Sequence, residues 1–114
     1  MRSEREWAAL EALLQHASEA LTFVDGMSEE AFREDRLTFL AVTRCLEVVS
    51  EASRRLSDAT RDAHPHLPWR QIRDAGNVYR HGYDSVLPEA VWQTVTRSLP
   101  PLVTFAEAEL AKRV

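Results

Sequence analysis

Residues 69–83 read Trp69-Arg70-Gln71-Ile72-Arg73-Asp74-Ala75-Gly76-Asn77-Val78-Tyr79-Arg80-His81-Gly82-Tyr83, and their layout on a helix sets the class of the chain. At about 100° per residue, Trp69, Ile72, Ala75, Gly76 and Tyr79 fall within about 120° of arc, a core-facing stripe. Arg70, Arg73, Asn77, Arg80 and His81 share a neighbouring arc of about 100°. The stretch is an amphipathic helix with one face to bury. Its other face carries three guanidiniums, a carboxamide and an imidazole, and Gly82 breaks it.

The same helical period runs outward in both directions. From Ser3 to about Val24 the apolar residues Trp7, Leu10, Leu14, Ala17, Leu21 and Val24 recur at alternating spacings of three and four, the seam of a long helix. Ser3 and Glu6 form a capping box at its start, and Gly26 suits the left-handed position after its end. Ser28-Glu29-Glu30 opens a short turn carrying Phe32. A second long helix spans about Asp35 to Leu56, with Leu37, Leu40, Ala41, Cys45, Val48, Val49, Ala52 and Leu56 facing the core. Ser57 to Pro68 is a connector with one helical turn at Asp58–Ala63. Pro68 then precedes the helix quoted above. Beyond Gly82, Pro88 leads into a fourth helix carrying Val91, Trp92, Val95 and Leu99. Pro100-Pro101 marks a kink or a fresh start, and Leu102, Phe105, Ala106, Leu110 and Val114 carry the stripe onward. The expectation is an all-α chain, an up-and-down bundle of four main helices forming one domain over residues 1–114.

Composition narrows the function. The formal net charge is -4 and the pI near 5.5, so no global basic field attracts nucleic acid, and any phosphate site must be a local patch. DNA binding is not expected. Thirteen of the fourteen basic residues are Arg, a bias that runs through the whole chain and so marks no particular site. Cys45 is the only cysteine, which excludes an internal disulfide, and its apolar neighbours make it a buried thiol rather than a nucleophile. There is no secretory leader pattern at the N-terminus and no run long enough to span a membrane, so a cytoplasmic location is expected. No cofactor or metal is expected. His16 reads as a solvated surface imidazole, Glu47 and Glu51 as a charged helix face, and His64-Pro65-His66 as a loop held extended by its proline.

The polar face of residues 69–83 has two chemical uses. An imidazole gains or loses a proton near neutrality, and guanidiniums stabilise the charge on a phosphoryl group in transfer. Together they suffice for RNA cleavage without a metal. His81 takes the proton of a 2′-hydroxyl, Arg holds the phosphate, and Asn77, one turn before His81, positions. Surface helices carry Arg and terminal His for solubility and dipole pairing too, so the spacing alone leaves both readings open.

Landmarks along the whole chain resemble the HepT-like branch of the HEPN superfamily. They run from Gly26 and Phe32 through Ala41, Arg44, Leu46, Glu47, Ser50-Glu51-Ala52 and Leu56. They continue with Pro65, Pro68-Trp69, Ile72, Asn77, His81, Tyr83, Val86, Val91-Trp92 and Leu99-Pro100. The resemblance implies a helical bundle that dimerises, with the motif helices of two protomers lining a shared cleft. It also implies metal-independent ribonuclease activity from an Arg followed four to six residues later by His, and a nucleotidyltransferase antitoxin that silences the toxin by attaching adenylate to a Tyr, here Tyr83. In that branch the motif commonly reads Arg-Asn-x-x-x-His-x-Tyr. This chain keeps Asn77, His81 and Tyr83 but has Gly76 where the motif Arg stands. Arg80, beside His81, and Arg73, two turns before it, are the candidates for the missing phosphate contact. The alternative is a non-catalytic helical interaction or dimerisation module whose motif has degenerated at Gly76.

Overall fold

The computed structural model describes residues 2–81 and 87–113; for residues 77–81 it describes the backbone alone. Helix α1 (Glu4–Phe23) is capped by Ser3, whose Oγ accepts from the Glu6 amide at 3.1 Å. Gly26 follows it with φ +78°, the left-handed turn that glycine tolerates best. Ser28 and Asp35 cap α2 (Glu29–Glu34) and α3 (Arg36–Arg54) in the same way, and Ser57 caps α4 (Asp58–Asp62). After α5 (Trp69–His81) come α6 (Pro88–Gln93), a π-helical segment (Thr94–Ser98) and α7 (Leu99–Leu110). The fold is all-α, and no strand occurs among the described residues. The long helices are α1, α3, α5 and α7, as the period predicts.

The π segment resolves the expectation of a kink or fresh start at Pro100-Pro101. These prolines stand in the first turn of α7, where a missing N–H is harmless, but their rings crowd the carbonyls one turn back. Widening the helix over Thr94–Ser98 relieves that crowding, so α6 runs on into α7 instead of stopping.

The core gathers Leu10, Leu13, Phe32, Val42, Leu46, Val49, Ile72, Val91, Val95, Leu99 and Leu102, all essentially inaccessible. Two stripes differ from the sequence reading. On α1 the buried apolar residues are Ala9, Leu10, Leu13, Ala17 and Ala20, followed by the expected Val24 at its end, while Trp7, Leu14 and Leu21 pack at its margin. Alanines let α1 approach both α3 and α7, which shifts the buried arc toward them. On α3 the expected Leu37 is 80% and Leu40 is 48% exposed. Phe39, Val42, Leu46, Ser50 and Ser53 are buried instead, and the two sets overlap at Cys45, Val49, Ala52 and, just past the end of α3, Leu56. The reason is that α3 packs against α1 on one side and α5 on the other. At the second contact, small serines serve as core.

A buried ionic cluster ties the ends of the chain together. Glu6 and Glu109 are 7% and 3% exposed, and Arg2 pairs with both, at 3.2 Å from Glu6. Thr60 Oγ1 donates to Glu6 at 2.5 Å, and Lys112 Nζ reaches Glu109 at 2.7 Å. Burial by itself raises both carboxyls, but hydrogen bonds from Thr60 and Arg2 to Glu6, and from Lys112 and Arg2 to Glu109, outweigh it and hold both below the ordinary range. Groups that titrate lower in the fold than in the unfolded chain contribute stability above the unfolded carboxylate range and lose it as pH falls through the folded values. Thermal melts from neutral pH into acid are therefore expected to fall steeply, with a flatter acid limb in Glu6→Gln and Glu109→Gln. An acid limb of unchanged slope in both variants would contradict this.

Candidate active site

Helix α5 is fixed at its start by Trp69. The indole N–H donates to the His64 carbonyl at 2.9 Å, and the ring stands edge-on to Phe105 of α7, centroids 5.3 Å apart. Ile72, 1% exposed, sits in the core one turn on. The next core-facing residue is Gly76, buried against α3. A Cβ built there would overlap Oγ and Cβ of Ser50. Ser50 Oγ also lies 3.5 Å from the Arg73 carbonyl of α5, so the serine fills the space above the glycine and bridges the two helices. The close helix approach expected at Gly76 is therefore present.

This packing takes position 76 out of any solvent-facing cleft. The arginine of the resembling motif has no room beside Ser50 at this helix separation. What remains available is on the outer side of α5. Arg70 and Arg73 are exposed, and the Arg73 guanidinium lies 3.6 Å from Asp74, itself exposed. Asn77, Arg80 and His81 follow on the same unbroken helix, described there by their backbone. Tyr83 lies outside the described residues. By the rise of about 1.5 Å per residue, Arg73 stands about 12 Å before His81 along the axis, whereas Arg80 adjoins it. A groove of about 410 Å³ opens beside the first turns of α5, lined by Ser53, Arg54, Arg61, Trp69, Arg70 and Arg73.

Elsewhere the structure joins residues that the sequence reading kept apart. His16 is half-buried rather than solvated, its Nδ1 3.5 Å from Glu19 Oε1. With Cys45 across the α1–α3 interface, the three present ligand atoms within 4.8 Å of one another, the one such group among the described residues. Helical spacing places His16 and Glu19 on one face, but the pairing with Cys45 depends on how α3 is rotated, which the sequence misjudged. Cys45 is 4% exposed, and burial, with Glu19 acting in the same direction, pushes its thiol up, as suits a buried thiol. His64 lies edge-on to Phe105, with Nδ1 3.0 Å from the Thr60 carbonyl, so the His64-Pro65-His66 loop is part of the packing. Glu47 and Glu51 pair with Arg44 and with Arg54 and Arg55 along their own helix, a charged face as expected.

The family model for ribonuclease HepT-like proteins matches residues 13–109. Similar proteins include the "Probable ribonuclease HepT" of Thermococcus cleftensis, 31% identical over 93 residues that cover 78% of this chain and 84% of the relative. A protein of Caldanaerobacter subterraneus whose name carries the term RNase is 31% identical over 82% of this chain and 83% of its own length. Another, from Methanocaldococcus jannaschii, is 28% identical over 83% and 78%. No solved structure matches. No helix among the described residues is long and apolar enough to cross a membrane.

The packing at Gly76 makes a direct prediction. Gly76→Ala is expected to lower unfolding stability by about 1–3 kcal/mol through overpacking, and Gly76→Arg by more. In a denaturant double-mutant cycle, Ser50→Gly is expected to recover much of the Gly76→Ala loss even though glycine costs about 1 kcal/mol in a helix interior. Strict additivity of the two substitutions would show that the helices do not meet there.

Proposed function

This chain belongs to the ribonuclease HepT-like family, and on that premise we propose that it is a toxin that cleaves RNA without a metal ion, acts as a homodimer and is neutralised by a nucleotidyltransferase antitoxin. The observation that carries the reading is a single helix, α5, bearing Asn77, Arg80 and His81 in consecutive turns within a chain that matches the family over most of its length. His81 accepts the proton of a 2′-hydroxyl as that oxygen forms its bond to phosphorus. The bond from phosphorus to the leaving 5′-oxygen breaks, and that oxygen takes up a proton in turn. Arg80 stabilises the charge on the phosphate oxygens, and Asn77 positions. The requirement for a 2′-hydroxyl selects RNA over DNA. Tyr83 is the proposed site of adenylate attachment by the antitoxin. The exposed Leu37 and Leu40 on the outer face of α3 support a second copy as partner, since apolar groups left in water mark interfaces.

The buried Gly76 favours one other reading, a helical interaction module that keeps the fold and has lost the chemistry. One preparation separates the two. Purified protein incubated with total RNA in excess chelator is expected to cleave it, and His81→Ala to slow cleavage by about 10²–10⁴-fold. Light scattering on the same sample is expected to give the mass of two chains. Equal cleavage by both proteins would overturn the assignment of His81, absence of cleavage by folded wild type would favour the module, and a monomer at micromolar concentration would remove the homodimer.

A further inference from the structure

We propose that the groove between the end of α3, α4 and the first turns of α5 binds the phosphate backbone of single-stranded RNA a few nucleotides away from the bond that is cut. This rests on the ribonuclease reading for the identity of the bound strand. The groove itself rests on its lining: four of its six residues, Arg54, Arg61, Arg70 and Arg73, are arginines and none is acidic, on a chain of net charge -4. Such a concentration of one sign on a background of the other is a local phosphate-binding patch.

The four guanidiniums are not equivalent. Arg61 donates to the carbonyls of Ser53 and Leu56 at 2.7 Å each and to Asp58 at 2.6 Å. It closes the C-terminus of α3 and fixes one wall. Arg54 lies 4.0 Å from Glu51. On the opposite wall, the Arg73 guanidinium pairs with its exposed neighbour Asp74, and Arg70 makes no ion pair among the described residues. Arg70 and Arg73 are one turn apart and both line the groove, a spacing that offers bidentate donors to successive phosphates. The Trp69 indole, held by His64 and Phe105, supplies an aromatic surface in the same groove. Basic side chains with an interleaved aromatic are the composition of single-strand grooves.

Position along α5 assigns the role. Arg70 stands about 16 Å and Arg73 about 12 Å before His81 along the helix axis, farther than one phosphate spans. Residues so placed hold neighbouring nucleotides and not the phosphate at His81. The groove and the reactive end of α5 thus form one track, binding at its start and chemistry at its end.

The test uses a short single-stranded 2′-O-methyl RNA, which lacks the attacking hydroxyl, and follows binding to the full chain by fluorescence anisotropy at rising salt. Arg70→Glu is expected to weaken binding about tenfold and to reduce the magnitude of the salt slope by about 0.7 for each phosphate no longer neutralised. Arg70→Ala is expected to do so less strongly, and Arg70→Lys to keep most of the slope. Arg5→Glu changes net charge equally on an exposed site outside the groove and is expected to leave the slope in place. Thermal melts confirm that each variant is folded. Absence of binding by wild type, equal affinities for wild type and Arg70→Glu, or an equal loss in Arg5→Glu would each overturn the groove. Binding lost in Arg70→Glu while ordinary RNA stays uncleaved by wild type would keep the groove and remove the ribonuclease reading. Cleavage of ordinary RNA with no effect of Arg70→Glu on affinity would do the reverse.

Discussion

Where α3 and α5 meet, the side chain of Ser50 occupies the space that a Cβ at position 76 would need, and the rest of the site follows from that packing. It sets how closely α5 lies on α3, and with Trp69 and Ile72 it sets the helix's rotation. It directs Gly76 inward and leaves Arg70 and Arg73 in solvent. Protein interiors have no slack for an extra side chain at such a crossing. The departure at Gly76 from the motif that this chain resembles is therefore a structural commitment, one that a substitution at a single position cannot reverse without moving a helix.

The helix pattern is legible in the sequence because its determinants are local. Ser3, Ser28, Asp35 and Ser57 each accept a backbone N–H of the helix they precede, and Gly26 turns the chain at positive φ. The close approach at Gly76 is legible too, from a missing side chain on an apolar arc. What stays hidden depends on neighbours far along the chain. Helix α3 carries apolar residues around most of its circumference, so periodicity alone does not decide between Leu37–Leu40 and Phe39–Val42–Leu46. The deciding partners are the small Ser50 and Ser53, which a hydropathy count treats as polar. Likewise Arg2, Glu6 and Glu109 form one cluster although Glu109 stands near the other end of the chain. Charges at such separation in sequence are paired only by the fold.

The electrostatics divide the molecule into two parts with different uses. At the termini, buried Glu6 and Glu109 are fully matched by Arg2, Lys112 and Thr60, so those charges act on stability and its response to acid. Beside α5, Arg70 and Arg73 are exposed, which supplies no stability of its own but leaves donors for an anion. The net negative charge of the chain keeps attraction local to that groove. For an RNA-cleaving protein this favours a strand laid along one helix over diffuse adsorption.

In the proposed mechanism the phosphate donor that Gly76 cannot supply is Arg80, beside His81, while Arg73 serves binding farther along α5. Steady-state cleavage of RNA by Arg80→Ala and Arg73→Ala separates these two roles. Arg80→Ala is expected to lower kcat by about 10²-fold or more, on the scale of a missing charge-stabilising donor, and Arg73→Ala to raise KM with kcat nearly unchanged. A kcat that is unaffected in Arg80→Ala, or that falls as far in Arg73→Ala, would contradict the assignment.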